Sequence, residues 1–453
     1  MDGTRSRWSS RGAMRQKIVR LTLVGGVVFL ALLLLLATWG GSPDEDDRKN
    51  GAATGTAKPV LPSAGPVTRL TVPPQYATDR GWEIIGSSPD VAVSHATGLL
   101  AYLERSKDNR YRLRTVDTAT GELGWRGKAW RQPDPLHYPR LATVAKGDRQ
   151  FFVTWSYGKV GDGLSPSSTF LALDLYDVTN GNRQRVEVPW SGAPDVDTTG
   201  PSIVISDAKA NSTLVDPVTG EVSELSADKL KYPKGCSACK QLTEVHGQTP
   251  GGLLLGGARE FWVRGGWFSR NVAPKGADKG SGVVTSTTAD QVLAKWAPAK
   301  KTKRAATHEL WAVHDAATGE VLTSVECHRP AIEPGRFPQA VLSPSGDYLI
   351  AGNLAFDLEA KQGRCFEDEG GAAHLTLATV TDDGIAYGAE NARDASEALA
   401  GGGLPVAMDF ATWSTERLSR NARLPGTETT GVGVFRWTDR QDRTHLIGYP
   451  RTG

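Results

Sequence analysis

The chain has 453 residues, with 52 Lys and Arg against 50 Asp and Glu, a formal net charge of +2. That balance excludes an electrostatic case for nucleic acid as a partner. The 51 Gly, 26 Pro and 13 Trp call for many turns and many large apolar anchors, and the length admits two or three domains or one large all-β domain.

The first element is Leu21–Trp39, an uninterrupted apolar run without a charge. As a helix it spans roughly 28 Å, about the thickness of a bilayer core. Arg5, Arg7, Arg11, Arg15, Lys17 and Arg20 precede it, and Asp44, Glu45, Asp46 and Asp47 follow it. Basic residues are retained on the cytoplasmic side. The pattern predicts a cytoplasmic tail over 1–20, a single-pass transmembrane signal anchor over 21–40, and everything beyond it outside the cytoplasm. A cleaved signal peptide has a shorter apolar core, about 7–15 residues, and a small-residue cleavage site. Here the run ends in Ala37-Thr38-Trp39-Gly40, and Trp39 suits a membrane interface. Residues 41–66 combine an acidic cluster with Gly, Ala, Thr and Pro, which predicts a flexible linker.

From 67 to 453 short β-branched and aromatic runs alternate with Gly, Pro, Asp and Asn turns, the all-β pattern. Two turn types recur. The first precedes an apolar strand, as at Ala96-Thr97-Gly98, Lys146-Gly147-Asp148, Thr198-Thr199-Gly200, Thr249-Pro250-Gly251-Gly252, Ser343-Pro344-Ser345-Gly346 and Asp382-Asp383-Gly384, with a looser copy at Thr438-Asp439-Arg440. The second follows a strand: Asp117–Gly121, Asp177–Gly181, Asp216–Gly220 and Asp315–Gly319, with degenerate copies at Asp357 and Asp409. In these, Asp accepts backbone N–H groups and Gly takes the positive φ, so no ligand is needed to explain them. Together they mark modules of about 40–60 residues, the period of β-propeller blades. Six modules carry both turns. Strands at Thr68–Val72 and Trp82–Ile85 are expected to join the two C-terminal strands in one composite blade. The expected fold is thus an all-β β-propeller of seven blades, with six or eight also compatible.

At Leu113–Trp125, LRTVDTATGELGW, the module resembles the quinoprotein-type (PQQ-like) propeller repeat: strand, Asp-x-x-Thr-Gly, a short polar stretch, Trp. The likeness continues at STLVDPVTGEV and ELWAVHDAATGEV, and LSPSGDYLIAG resembles the turn of WD-repeat and TolB-like propellers. The resemblance implies the propeller fold and a bacterial envelope setting. Its members include both quinoprotein dehydrogenases and non-enzymatic assembly scaffolds. The adjacent cysteines typical of the dehydrogenases are absent, so no cofactor is expected and the non-enzymatic branch is favoured.

The four cysteines are Cys236, Cys239, Cys327 and Cys365. Cys236 and Cys239 lie in a Pro/Gly/Lys-rich connection and are expected to close it as a disulfide. Cys327 and Cys365 follow the Asp turns of successive modules, so they are expected to pair across adjacent outer strands. Zinc at His308, His314 and His328 is disfavoured by irregular spacing. Asn211-Ser212-Thr213 is a glycosylation sequon.

Gly158–Ser168, Gly256–Ala306 and Gly388–Leu404 all read as insertions between the second and third strands of their modules, which places them on one face. Within the second, Arg259, Trp262, Arg264, Trp267, Phe268 and Arg270, followed by Trp296, form an Arg and aromatic set suited to binding a partner. A bland alternative makes Phe261 and Val263 the inner face of a strand with Trp262 and Arg264 outside. The basic run from Lys295 to Arg304 suits an anionic polymer or lipid headgroup. The sequence therefore predicts a membrane-anchored, extracytoplasmic scaffold for an envelope protein or an anionic or glycan partner. A propeller enzyme, quinoprotein-like or a carbohydrate hydrolase, is the alternative.

Overall fold

The computed structural model describes residues 65–452 except 134–137, 161–167, 208, 301–303, 331–336, 369–373 and 430. Leu21–Trp39 and the tail and linker expected around it, up to residue 64, lie outside the described residues. Among the described residues no helix is long and apolar enough to cross a membrane.

Among the described residues eight antiparallel sheets follow one another, seven of them with their strands in sequence order. Blade 1 is built from Ser87–Ser94, Leu99–Arg105, Tyr111–Asp117 and Leu123–Arg126. Blade 2 uses Arg140–Lys146, Arg149–Val160, Ser168–Asp177 and Arg183–Pro189. Blade 3 uses Asp195–Asp197, Ile203–Ser206, Ser212–Val215 and Val222–Leu225. Blade 4 has only Glu244–Thr249, Gly252–Gly256 and Phe261–Val263. Blade 5 uses Val283–Thr287, Gln291–Trp296, His308–Asp315 and Val321–His328. Blade 6 uses Val341–Leu342, Tyr348–Ala351, Leu354–Asp357 and Gln362–Cys365. Blade 7 uses Leu375–Val380, Ile385–Glu390, Leu404–Asp409 and Ser414–Arg417. Blade 8 joins the chain ends: Thr427–Thr429, Val432–Thr438 and Thr444–Pro450 are completed by Trp82–Ile85, which pairs with the last of them.

The expected seven blades are therefore corrected to eight. Gly256–Ala306 is not one insertion. It holds the third strand of blade 4 and the first two strands of blade 5. Blade 4 lacks an Asp turn, so its apolar second strand merged in the sequence pattern with the Asp315 turn of the next blade. Thr68–Val72 forms no strand, so Trp82–Ile85 alone closes the ring. The looser turn at Thr438-Asp439-Arg440 joins the second and third strands of blade 8.

Blades pack face to face, so both faces of each sheet are buried. The core falls into eight apolar clusters at blade boundaries, such as Leu103, Phe152 and Tyr176 between blades 1 and 2, and Leu100, Val116, Val434 and Leu446 between blades 8 and 1. Because successive strands run in opposite directions, the turns joining strands 1–2 and 3–4 lie at one end of every blade. The 2–3 links and the blade-to-blade links lie at the other. We call these the lower and upper faces.

On the lower face the Asp turns form as their residue types dictate. Asp117 Oδ1 accepts the Thr120 N–H at 2.8 Å and its hydroxyl at 3.0 Å; Asp315 Oδ1 does the same with Thr318, both at 2.7 Å. The residue after the Asp then donates its N–H to the first turn of the same blade: Thr118 to Gly98, Val178 to Gln150, Ala316 to Asp290 and Phe410 to Gly384, at 2.8–3.1 Å. In blade 3 that position is Pro217, which has no N–H.

A tryptophan from the preceding blade seats on these turns. The indole N–H of Trp82 donates to the Thr118 carbonyl at 2.8 Å, that of Trp125 to Val178 at 2.9 Å, and that of Trp267 to Ala316 at 3.1 Å. Gln184 makes the matching bond to Thr219 at 2.7 Å. Each indole lies where a side chain on the turn glycine would be: a Cβ on Gly121, Gly181 or Gly319 would come within 2.4–2.7 Å of the ring or its Cβ. A second lock ties both chain ends to blade 7. Tyr76 donates its hydroxyl to Glu428 at 2.7 Å, and Arg451 bonds Glu428 at 3.0 Å and Asp383 at 2.7 Å.

Trp82 is 7% exposed and holds the closing strand against blade 1. Trp82→Ala is expected to lower unfolding free energy by about 3–5 kcal/mol, whereas Leu123→Ala, on an exposed side chain, changes it by under about 0.5 kcal/mol. Urea denaturation of the two variants checks this; a Trp82→Ala loss below about 1 kcal/mol would contradict the closure.

Candidate functional site

Three of the 2–3 links are long, and strand alternation sets all three on the upper face. In blade 2 the two longest strands among the described residues pair out to Val160 and Ser168. In blade 5 the link runs from Ala297 to Thr307. In blade 7 it carries a helix, Ala395–Ala400, started by Asp394, whose carboxylate accepts the Glu397 N–H at 2.9 Å. Gly401 ends that helix at φ +91°. The first and third insertions thus lie where their strands were expected to put them, and the second shrinks to the blade 5 link.

Both disulfides brace this face. Cys236–Cys239, with Cα atoms 5.4 Å apart, pins the link from blade 3 to blade 4. Cys327–Cys365, with Cα atoms 6.0 Å apart, ties the ends of the outer strands of blades 5 and 6. Glu260 is buried beside the first bridge, with Oε2 2.9 Å from Cys236 Sγ, and Arg270 grips both its oxygens at 2.8 and 3.0 Å. With the sulfurs joined and the carboxylate held by Arg270, this group braces the link between blades 3 and 4.

The seven residues singled out for partner binding do not converge. Trp262 and Trp296 are 3% and 1% exposed, core residues of the 3–4 and 4–5 boundaries. Trp267 is seated on the Asp315 turn. Phe268 is half-buried and bridges to Trp262, with the Arg270 guanidinium 5.4 Å above its ring. Arg270 is the ion-pair partner of Glu260. Only Arg259 and Arg264 are exposed, and they flank the strand Phe261–Val263 at opposite ends, Arg259 on the upper face and Arg264 on the lower. Trp262 points into a neighbouring blade and not into solvent, because a propeller sheet has no wet face. Exposed cations on the upper face are instead spread around the ring: Lys107 and Arg110 in blade 1, Lys209 in blade 3, Arg259 in blade 4, Arg304 in blade 5, Arg393 in blade 7 and Arg440 and Arg443 in blade 8.

Sequence reasoning missed a cavity at the upper rim between blades 2 and 3. It measures about 250 Å³ and is lined by Trp190, Asp207, Asn211, Ser212, Glu224 and Ser226 among others. The only sequence signal was the sequon. Asn211 is engaged in the fold: its amide donates to Asp207 Oδ2 at 2.9 Å and its oxygen accepts the Ala227 N–H at 3.1 Å.

Titratable groups are also perturbed on the inner strands. Burial, partly opposed by the Thr199 hydroxyl and N–H, raises Asp197 to about 6. Burial lowers His246 on the adjacent inner strand to about 4. In blade 5, burial lowers His314 to about 4 against the pull of the Gly319 carbonyl 3.0 Å from Nδ1. That contact requires a proton on Nδ1, so the neutral ring leaves Nε2 buried without a partner.

No family model matches the chain, and no curated protein matches it. Among solved structures, the β-propeller domain of Cps50 (Swd1) from Myceliophteria thermophila is similar at 12% identity, covering 81% of this chain and 99% of that domain with a TM-score of 0.37. The propeller assignment itself stands on the sheet order and ring closure described above.

Non-reducing peptide mapping is expected to return Cys236–Cys239 and Cys327–Cys365 with no free thiol. Removing the second by Cys365→Ser is expected to cost up to about 4 kcal/mol, given the 38-residue separation it closes. A different pairing would contradict the blade 5–6 register.

For His314 and His246 the folded value lies below the unfolded one, so the folded state binds fewer protons. Their contribution is complete above about 6.5 and is lost as pH falls toward 4. Asp197 acts oppositely: its contribution is present below 3.8 and lost as pH rises through about 6. The two histidines outweigh it, so the urea midpoint is expected to fall between pH 6.5 and 4. His314→Phe is expected to flatten that fall; an unchanged slope would contradict a neutral, buried His314.

Proposed function

We propose that this protein is a binding scaffold that presents its upper face to an envelope partner, with the propeller outside the cytoplasm and the N-terminal apolar run holding it at the membrane. The observation that carries this is the shared face of the three long links. A rigid ring closed by its own chain ends supports loops whose length and sequence the fold does not constrain, and such loops are common recognition elements. The exposed Arg304 and Arg393 on two of those links, and Arg259 on the short blade 4 link beside them, suit an anionic or glycan-bearing partner, since Arg forms fork-shaped bonds to anions and packs on planar groups. The lower face is different in kind: its recurring aspartates are consumed by turn hydrogen bonds.

A catalytic reading has one observation in its favour, the raised Asp197 beside the lowered His246 on adjacent inner strands. Against it, the Asp197 carboxylate is already bonded by Thr199, through its N–H at 3.2 Å and its hydroxyl at 3.0 Å.

The test is affinity capture of the tagged full-length protein after cross-linking in its native membranes. One variant carries Arg259→Glu, Arg304→Glu and Arg393→Glu on the upper face; the other carries Arg264→Glu and Lys361→Glu on the lower. A protein captured by the wild type and the lower-face variant and lost from the upper-face variant is the expected result. Capture that is equal in both variants, lost only from the lower-face variant, or absent from the wild type would overturn the reading.

A further inference from the structure

A second cavity, of about 140 Å³, opens on the upper face between blades 8 and 1 and the helix of the blade 7 link. Its walls are apolar: Pro89 and Val91 from blade 1, Leu399 from the helix, Leu424 from the link between blades 7 and 8, and Val434 and Leu446 from blade 8. Pro89, Val91 and Leu399 keep accessible surface, whereas Leu424, Val434 and Leu446 are buried and form the floor. The helix that carries Leu399 is held in place. Arg423 bonds the Ala400 carbonyl at its end and donates its own N–H to the Thr71 carbonyl at 2.7 Å.

One charged side chain lines this pocket among the described residues, that of Arg436. It stands on the second strand of blade 8, near the upper end, and is exposed. Its Nη1 donates to the Pro89 carbonyl at 2.9 Å, which anchors the guanidinium at the mouth. Among the described residues no carboxylate pairs with it. Asp90, beside Pro89, is taken by Arg140 at 2.7 Å. A guanidinium has five N–H donors, so Arg436 keeps most of them for a ligand.

We infer that this pocket takes the apolar C-terminal residue of a polypeptide partner, with its α-carboxylate on Arg436. A cavity of about 150 Å³ lined by Leu, Ile and Phe admits benzene, so this one admits a single apolar side chain. A long acyl chain would leave most of its carbons in water. The one side-chain hydroxyl among the described wall residues is that of Thr427, too few partners for a sugar, and Arg436 repels a basic group. The ligand therefore brings an apolar group and an anion to the same small pocket. In an extended chain neighbouring side chains point to opposite sides, so an internal Asp or Glu beside the apolar residue faces away. At a C-terminus one residue carries both groups, and its carboxylate matches the guanidinium fork with two parallel bonds. The inference rests on the upper-face reading and narrows it: the arginines on the links meet the partner's surface, and this pocket reads its chain end.

The test uses saturation-transfer NMR on the full-length chain in lipid nanodiscs, with empty nanodiscs as the blank. The probes are N-acetyl-Gly-Gly-X peptides, where X is Val, Leu, Ile, Met or Phe, each at about 10 mM, tenfold above a millimolar dissociation constant. At least one free acid is expected to bind. Its C-terminal amide, and the N-acetyl-Gly-Asp-X amide whose carboxylate is internal, are each expected to bind about tenfold more weakly. Arg436→Gln and Leu399→Glu are each expected to weaken the acid about tenfold, the second by setting a like charge in the wall. The comparison of acid with amide needs no substitution, so it decides the matter if a urea transition shows that either variant fails to fold. Binding of none of the acids, equal binding of acid and amide, equal binding of the internal-carboxylate peptide, or binding unaffected by both folded variants would overturn the inference. Decanoate binding more tightly than every peptide would overturn it too, by giving the pocket to a lipid. If the peptides fail while capture still maps to the upper-face arginines, the pocket falls and the face stands; peptide binding without capture would do the reverse.

Discussion

The structure depends on Trp82. It sits on the only strand that the N-terminal part of the described chain contributes to the ring, opposite Gly448, and its indole closes over the Gly121 turn of blade 1. A propeller has no hub: each sheet is stable only because the next one buries its apolar face, and an open ring would leave two sheet faces and two edges in water. Closing eight sheets with one strand from the far end of the chain removes both at once. The same contact recurs at Trp125 and Trp267, so the ring is held by repeats of a single device: an indole against a glycine that cannot be replaced by anything with a Cβ.

That device explains what could and could not be read from the chain. The Asp-x-x-Thr-Gly turns were legible because their chemistry is local: an Asp, a Thr and a Gly within five residues satisfy one another. The tryptophan belonging to each turn lies in the preceding blade, 39 residues back for Trp82 and Gly121, 56 for Trp125 and Gly181 and 52 for Trp267 and Gly319. Within a single module only Trp125 looked like part of the repeat. Blade 4 was hidden for a related reason. It has three strands and no Asp turn, and Trp267 takes the place of a fourth strand through one bridge beside it. Its strands were absorbed into a neighbour, and seven blades were expected in place of eight. The pairing of Cys327 with Cys365 was legible, because both follow Asp turns by similar distances and so had to end on adjacent outer strands.

The aromatic cluster from Arg259 to Arg270 shows the limit of residue type as a guide to binding. Arg, Trp and Phe in close succession suit an interface, but they suit a blade boundary equally well. Two-sided burial draws Phe261 and Val263 into one neighbour and Trp262 into the other. Alternation in a strand is informative about solvent only when one sheet face is wet. The rim cavity was invisible for the opposite reason: Trp190, Asp207 and Glu224 are spread over three segments with no motif among them, and only ring geometry brings them together.

The two faces divide the labour of the molecule. The lower face is committed to holding the ring, since its turns bond to each other and to the indoles of adjacent blades. The upper face carries the long links, both disulfides and the rim cavity, all on a frame that need not change shape to present them. The most direct test replaces Arg393 on the upper face or Lys361 on the lower with a photo-reactive amino acid in the full-length protein, and irradiates living cells. The account predicts a discrete cross-linked species from position 393 and none from position 361. Cross-links from 361, or from both positions alike, would contradict it.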